Sequence, residues 1–134
     1  MRAKLLTVMA GGFIMAAVPM LAHHSFSAEY DRAKSIELTG TVTKVEWMNP
    51  HARFYLDVKD ADGKVTNWEF ELGSPNGLMR QGWTRNSLKQ GDVVTVHGSR
   101  AKDGSNLVNA SNVAFENGKR VLGGASSADD PATK

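Results

Sequence analysis

Apolar–polar alternation in five short segments, tight-turn tetrapeptides between them, and one helical interruption after the third segment predict an all-β fold. Three strands, a short helix and two more strands is the order of a small five-stranded OB-type barrel, with the helix between strands 3 and 4. A plain five- or six-stranded sandwich is the competing architecture. The barrel domain is expected over residues 35–122, large enough for one apolar core and no more.

In the first strand Ile36, Leu38 and Val42 share one parity, and Val45 and Trp47 share the other. A phase change inside one strand requires a bend or bulge, expected near Gly40. Asn49-Pro50 signals a turn. The second strand points Phe54, Leu56 and Val58 inward and Arg53, Tyr55 and Asp57 outward. Asp60-Ala61-Asp62-Gly63 is the strongest hairpin signal in the chain. The third strand places Val65 near its start, then Trp68, Phe70 and Leu72 inward, with Asn67, Glu69 and Glu71 on the outer face.

Gly73-Ser74-Pro75-Asn76 breaks the alternation. Ser74 is suited to cap a helix and Pro75 to occupy its first position. Residues 76–88 read as one short helix or two turns interrupted at Gly82, with Trp83 and Leu88 plugging one barrel end. Gln90-Gly91-Asp92 returns the chain to strand, with Val94 and Val96 inward and Thr95 and His97 outward. Lys102-Asp103-Gly104-Ser105 makes the last hairpin, and Leu107 to Phe115 the fifth strand.

The flanks indicate a compartment. Arg2 and Lys4 precede an apolar run ending near Leu21, and Ala22 offers a small residue for a peptidase. Residues 1–22 therefore read as a secretory signal peptide, and the protein as periplasmic or secreted. Met20 is larger than the small residue usual three places before a cut, so a shifted cut or an uncleaved anchor is the alternative. Residues 23–34 are expected to lie extended over the barrel, with Phe26 and Tyr30 as anchors. Residues 123–134 have the composition of a disordered tail.

The full chain has 16 Lys+Arg against 14 Asp+Glu, and loss of Arg2 and Lys4 with the leader leaves 14 against 14. A near-neutral domain has no general electrostatic reason to bind nucleic acid or an anionic membrane. No stable membrane insertion is expected once the leader is removed. With no cysteine, neither a disulfide nor a lipid anchor on sulfur is available, and an apolar core must hold the fold.

Cleavage after Ala22 would begin the mature chain with His23-His24. An α-amine and an imidazole on one residue, with a second imidazole beside it, suit Cu(II) best among common divalent ions. Two adjacent residues seldom complete a coordination sphere, so the fold must supply a third donor. His51 is the best placed, in the loop joining strands 1 and 2. Around it, Met48 is a soft donor for Cu(I), and Trp47 a shield or cation–π face. The pre-proline position of Asn49 stiffens the loop. The competing explanation is a solvated His-His pair and a structural turn, with Trp47 in the core and His51 bonded to backbone. His97, outward on its strand, would join a site only if the N-terminal segment crossed it.

Asp57, Glu69 and Glu71 share one outer face, which suits a hard cation or a basic partner, or is simply solvated. That face also argues against nucleic acid, because OB barrels bind oligonucleotides there by stacking and positive charge. The chain has no G-x-S-x-G, no H-E-x-x-H, no phosphate loop and no cysteine nucleophile. A binding protein is expected, not an enzyme; a copper oxidant built on a histidine brace is the one enzymatic alternative.

In combination, Ala22-His23-His24-Ser25-Phe26, Asn49-Pro50-His51-Ala52 and Leu72-Gly73-Ser74-Pro75-Asn76 resemble a family of small exported bacterial proteins catalogued as a domain of unknown function. The resemblance spans essentially the whole mature chain. It implies an envelope location and an OB-like barrel, and brings no activity. In plan the chain is also similar to periplasmic OB-fold copper chaperones, whose site uses a tryptophan, methionines and a histidine at one barrel end. Trp47, Met48 and His51 match that set; its second methionine has no clear counterpart.

The expected function is a periplasmic module that carries or buffers a transition metal, copper before others. Its ligands would be His23, His24, His51 and Met48. The alternative is a metal-free module binding an envelope protein or a small ligand, through a surface comprising Trp47, Asn49, Arg53, Tyr55, Ser74, Asn76 and Trp83.

Overall fold

The computed structural model describes residues 26–116 and 121–124. In chain order the elements are α1 (Phe26–Glu29), β1 (Tyr30–Glu46), β2 (Arg53–Lys59), β3 (Val65–Glu71), α2 (Pro75–Arg80), β4 (Val93–Ala101), β5 (Leu107–Phe115) and β6 (Val121–Gly123). The expected signal peptide, His23, His24 and the expected tail beyond Gly124 lie outside the described residues.

β1 is 17 residues long because it serves two neighbours. Ser35–Thr41 pairs with β4 and Thr41–Glu46 with β2, both antiparallel. β2 and β3 form a hairpin, as do β4 and β5. The ring closes where Glu69–Glu71 runs parallel to Leu107–Asn109. A long first strand shared by β2 and β4, closure of β3 on β5, and a helix between β3 and β4 make this an OB-type topology.

The bend in β1 falls at Thr43, where the register with β2 shifts between Val42 and Lys44. That is three residues after the glycine at which the sequence places it. The Thr43 hydroxyl donates to the Tyr55 carbonyl at 3.3 Å, compensating locally for the disrupted ladder. Gly40 serves another purpose: a Cβ there would lie 2.5 Å from the Asp57 carbonyl oxygen, so only glycine lets β1 pass this close to β2.

The hairpin at residues 60–63 forms as its sequence predicts. Asp60 Oδ1 accepts from the Asp62 and Lys64 amides, and Gly63 takes φ +83°. Ser74 caps α2 by accepting from the Gly77 amide at 3.2 Å, and Pro75 opens the helix. α2 stops at Arg80, just before Gly82, where the sequence places the interruption. Gly82, at φ +94°, turns the chain, and the Trp83 amide bonds back to the Leu78 carbonyl. Trp83 and Leu88 still reach the interior without a helix to carry them.

Inside the ring Phe54 and Phe70 stack at 5.0 Å. Leu56, Leu72, Leu78, Val42, Val94, Val96, Val108 and Val113 complete a core fully removed from water. The inward residues predicted for β2, β3 and β4 are the ones that build it, with Val58 and Trp68 half-buried at its edge.

Three features depart from the expected layout. The segment before the ring is not extended throughout: Phe26–Glu29 is one helical turn, and strand begins at Tyr30, before the expected boundary at residue 35. α1 is held to the β4–β5 hairpin by the Lys102 amide donating to the Glu29 carbonyl at 2.9 Å. A sixth strand, β6, pairs with Asn112–Ala114 of β5. And Gly123 and Gly124, expected to start the tail, are packed: the Gly124 amide donates to the Ser111 carbonyl, and its carbonyl accepts from the Gly73 amide, both at 2.8 Å. Among the described residues no helix is long and apolar enough to cross a membrane.

Candidate functional site

The loop between β1 and β2 carries Trp47, Met48, Asn49, Pro50 and His51. Its far end is clamped: the Ala52 amide donates to the Gly73 carbonyl, and the Leu72 amide to the Ala52 carbonyl. His51 is thereby pressed against the end of β3, and its Nδ1 lies 3.0 Å from the Leu72 carbonyl oxygen. A carbonyl only accepts, so Nδ1 carries the hydrogen and the neutral ring keeps its lone pair on Nε2. This is the arrangement metal-ligating histidines use, with one ring N–H fixed on backbone and the other nitrogen left to bind.

Behind His51 sits a charged cluster. Glu71 Oε1 is 3.8 Å from His51 Nδ1, and Glu71 Oε2 is 3.3 Å from Arg53 Nη2. Arg53 Nη1 also meets Glu69 Oε1 at 2.6 Å, so the guanidinium bridges two carboxylates. The sequence puts Glu71 on a solvated face. Its parity is outward, but it is only 7 % exposed, because Tyr30 and its neighbours lie over this end of β3. Burial raises the Glu71 pKa above the usual carboxylate value, the His51 and Arg53 charges oppose that shift, and Glu29 adds to it.

Tyr30 is the residue whose role in this cluster sequence reasoning misses. It is 2 % exposed, and its hydroxyl is buried as well. Burial pushes the phenol far above its ordinary pKa, and the negative charges of Glu71 and then Glu29 push it further. The phenol thus lies against the Glu71 carboxylate. Sequence marks Tyr30 only as an apolar anchor; nothing in its neighbours signals that Glu71 is beneath it.

The other expected site residues disperse. Met48 is 55 % exposed, Asn49 is exposed, and Trp47 is half-buried against the core. Trp83, placed on the contact surface by the sequence, is instead 2 % exposed, and its indole N–H donates to the Gly123 carbonyl at 2.8 Å. Only its edge joins Trp47, Leu72, Arg85 and Leu88 in lining a narrow apolar cleft. Ser74 is occupied as a helix cap, and Asn76 is exposed on α2. Among the described residues no group of three or more His, Cys, Asp or Glu side chains is close enough to hold a metal ion. His23 and His24 are outside those residues, so His51 and Met48 are the expected ligands that can be located.

Arg53 and Tyr55 belong to a cross-linked outer face of β1–β3. Lys44 meets Glu46 at 2.5 Å and lies 5.3 Å over the Tyr55 ring, and the Tyr55 hydroxyl donates to Glu46 at 3.3 Å. Asn67 joins Thr43 to Asp57. Lys44 and Arg53 are both engaged by carboxylates on this face. On the adjoining face His97 Nε2 pairs with Glu37 at 3.0 Å.

Fold and site together define a small OB-type β module with one backbone-oriented histidine at the mouth of the β1–β2 loop. The chain belongs to a family of unknown function, DUF6152, whose model matches residues 12–109. No curated protein matches the sequence. Among solved structures, the chain is similar to the mitochondrial single-stranded DNA binding protein Rim1 of S. cerevisiae. The TM-score is 0.49 at 8 % identity, over 62 % of this chain and 93 % of that one. It is also similar to part of TiaS, solved in complex with a tRNA and ATP. There the TM-score is 0.43 at 23 % identity, over 64 % of this chain but 19 % of that one.

Proposed function

We propose that this protein is an exported binding module that carries or buffers a transition metal, copper before others. His51 Nε2 is one donor, the α-amine and ring of His23 supply others, and His24 and Met48 contribute more weakly. The observation that carries the reading is the His51 Nδ1–Leu72 contact at 3.0 Å, which leaves a lone pair on Nε2. The path of the N-terminal segment supports it. Glu29 and Tyr30 both act on Glu71, which lies 3.8 Å from His51, so the chain enters the ring beside this histidine. His24 precedes Phe26 by two residues, a reach of roughly 7 Å at the extended rise per residue.

Amine and imidazole donors favour Cu(II), and exposed Met48 adds a thioether suited to Cu(I). The leader supplies the compartment, periplasmic or secreted. In this reading the protein is a binding module and not an enzyme. A second reading rests on the exposed Met48: a metal-free module whose partner is a protein of the envelope or a small ligand.

The test is calorimetric titration of the processed protein, starting at His23, with Cu(II), together with its visible d–d band. One-to-one binding is expected, weakened on the order of tenfold or more in His51→Ala, as loss of one donor implies. A glycine added before His23 should weaken it comparably. Weak binding indifferent to both changes overturns the metal reading and leaves the partner reading to pull-down experiments.

A further inference from the structure

The cluster behind His51 holds two acceptors and one proton. Leu72 O lies 3.0 Å from His51 Nδ1, and Glu71 Oε1, from the preceding residue, lies 3.8 Å from the same nitrogen. The first is a hydrogen bond and the second is too long for one. A modest turn of the Glu71 side chain would exchange them. Arg53 restrains only Oε2, at 3.3 Å, so Oε1 is the mobile partner. Against this carboxylate lies the Tyr30 hydroxyl, fully buried, with Glu71 as the acceptor it faces. A buried phenol set against a carboxylate that already pairs with Arg53 and faces His51 calls for an explanation in terms of what the group does.

We propose that Tyr30 and Glu71 are positioning residues for His51: the phenol competes with the imidazole for the Glu71 carboxylate and so keeps the His51 Nδ1–H on Leu72. The proposal deepens the metal reading above, on which its last arm rests. When Tyr30 is seated, its O–H is a donor to Glu71 alongside Arg53. Each hydrogen bond it gives that carboxylate weakens the pull on Nδ1. Leu72 then retains the proton, and Nε2 keeps a fixed direction. Tyr30 opens β1 immediately after α1, so seating the N-terminal segment and aiming His51 become one event. The phenol touches no ligand; it acts through Glu71, and Glu71 through the ring.

Three chains test this: the parent, Tyr30→Phe, and Tyr30→Phe combined with Glu71→Gln. The first readout is the ¹⁵N spectrum of the histidine rings in the metal-free protein, which reports tautomer and hydrogen bonding at each nitrogen. The parent should show His51 as the Nδ1–H tautomer. Tyr30→Phe keeps the ring and removes the donor; the Nδ1–H signal should move and broaden as Glu71 competes for it. The double variant should restore the parent pattern, because a neutral amide competes poorly. A general loosening of the structure would not be rescued by a second substitution.

Unchanged His51 signals in Tyr30→Phe, or no rescue in the double variant, overturn the proposal. So does failure of Tyr30→Phe to fold, since the hydroxyl would then be structural. The second readout is Cu(II) affinity, expected to fall on the order of tenfold in Tyr30→Phe, the size of effect typical for residues that orient a ligand, and to recover in the double variant. Affinity unchanged while the ring signals move overturns the link to metal. If the parent binds no copper, the metal reading fails while the ring readout still decides the positioning claim.

Discussion

Glu71 is the residue at which local pattern and tertiary environment disagree, and the disagreement has a measurable sign. Its pKa is raised in the folded protein, chiefly by burial. The folded state therefore holds that proton more tightly than the unfolded chain does. The stabilisation is fully present below the unfolded value near 4.5 and is lost as pH rises through the higher folded value. Glu46 and Asp103 behave oppositely. Lys44 holds Glu46 down, and the Ser105 side chain holds Asp103 down, so their contributions are lost on acidification. The two effects occupy different windows, above and below the ordinary carboxylate range. Urea midpoints of the metal-free parent should fall as pH rises above about 4.5, if Glu71 dominates that limb as its burial implies. In Glu71→Gln the limb should flatten, with the acid limb unchanged. An identical slope in both proteins would mean that burial of Glu71 has no thermodynamic weight. Alternation along β3 puts Glu71 outward, correctly. What alternation does not contain is that Tyr30, forty-one residues earlier, covers that outward position. His51 was legible because a histidine after Asn-Pro is a local pattern; its bond to Leu72 depends on where two distant segments meet.

Elements were legible in proportion to how much of their specification is local. The bounds of β5 read from the sequence, Leu107 to Phe115, are those observed, because the alternating run is flanked by turn residues on its N-terminal side. The 60–63 hairpin and the Ser74-Pro75 helix start were legible for the same reason. The bulge in β1 was expected at its glycine and lies at Thr43, because a threonine hydroxyl can support the broken ladder, while Gly40 is reserved for backbone contact with β2. Gly98 makes the same kind of demand between β4 and β5. A Cβ there would lie 2.2 Å from the Asn109 carbonyl oxygen and 2.6 Å from Val108 Cγ1, beside the register shift at His97. Backbone cannot give way as a side-chain tip can, so β4 and β5 would have to separate. Gly98→Ala should destabilise by about 3 kcal/mol or more, in the upper range for single substitutions. Gly63→Ala, with no atom nearer than 3.7 Å but a φ of +83°, should cost about 1 kcal/mol. Chemical denaturation of both separates a steric demand from a conformational one, and equal losses would refute the distinction.

At the scale of the whole molecule the question is what completes the ring after β3 and β5 part. Their parallel pairing covers only Glu69–Glu71 with Leu107–Asn109. Beyond it, β6 takes the place of β3 along β5, and Gly124 reaches back to Gly73 at the β3–α2 junction. Trp83 then fastens α2 and its following turn to the same strand through the Gly123 carbonyl. A Cβ at Gly124 would lie 1.7 Å from the Ala110 carbonyl oxygen, so the strand can lie this low only because its end is glycine. Val121-Leu122 followed by two glycines is too short an apolar run to announce a strand, which is why the sequence places a loose tail so near. The consequence is that one short strand holds one side of the molecule closed. Truncation after Glu116 removes Leu122, which is buried, and leaves the Trp83 indole N–H without its acceptor. Burial of a leucine is worth about 1.5–3 kcal/mol and an orphaned buried donor costs about 1–3 kcal/mol. The truncated protein should therefore lose roughly 3–5 kcal/mol in urea unfolding. Hydrogen exchange at the Trp83 indole should accelerate beyond that of Trp68, whose ring packs under Arg100 and whose strand pairs there with β2. If the indole stays protected and the midpoint does not move, β3 and β5 close the ring alone, and β6 is an appendage rather than its last stave.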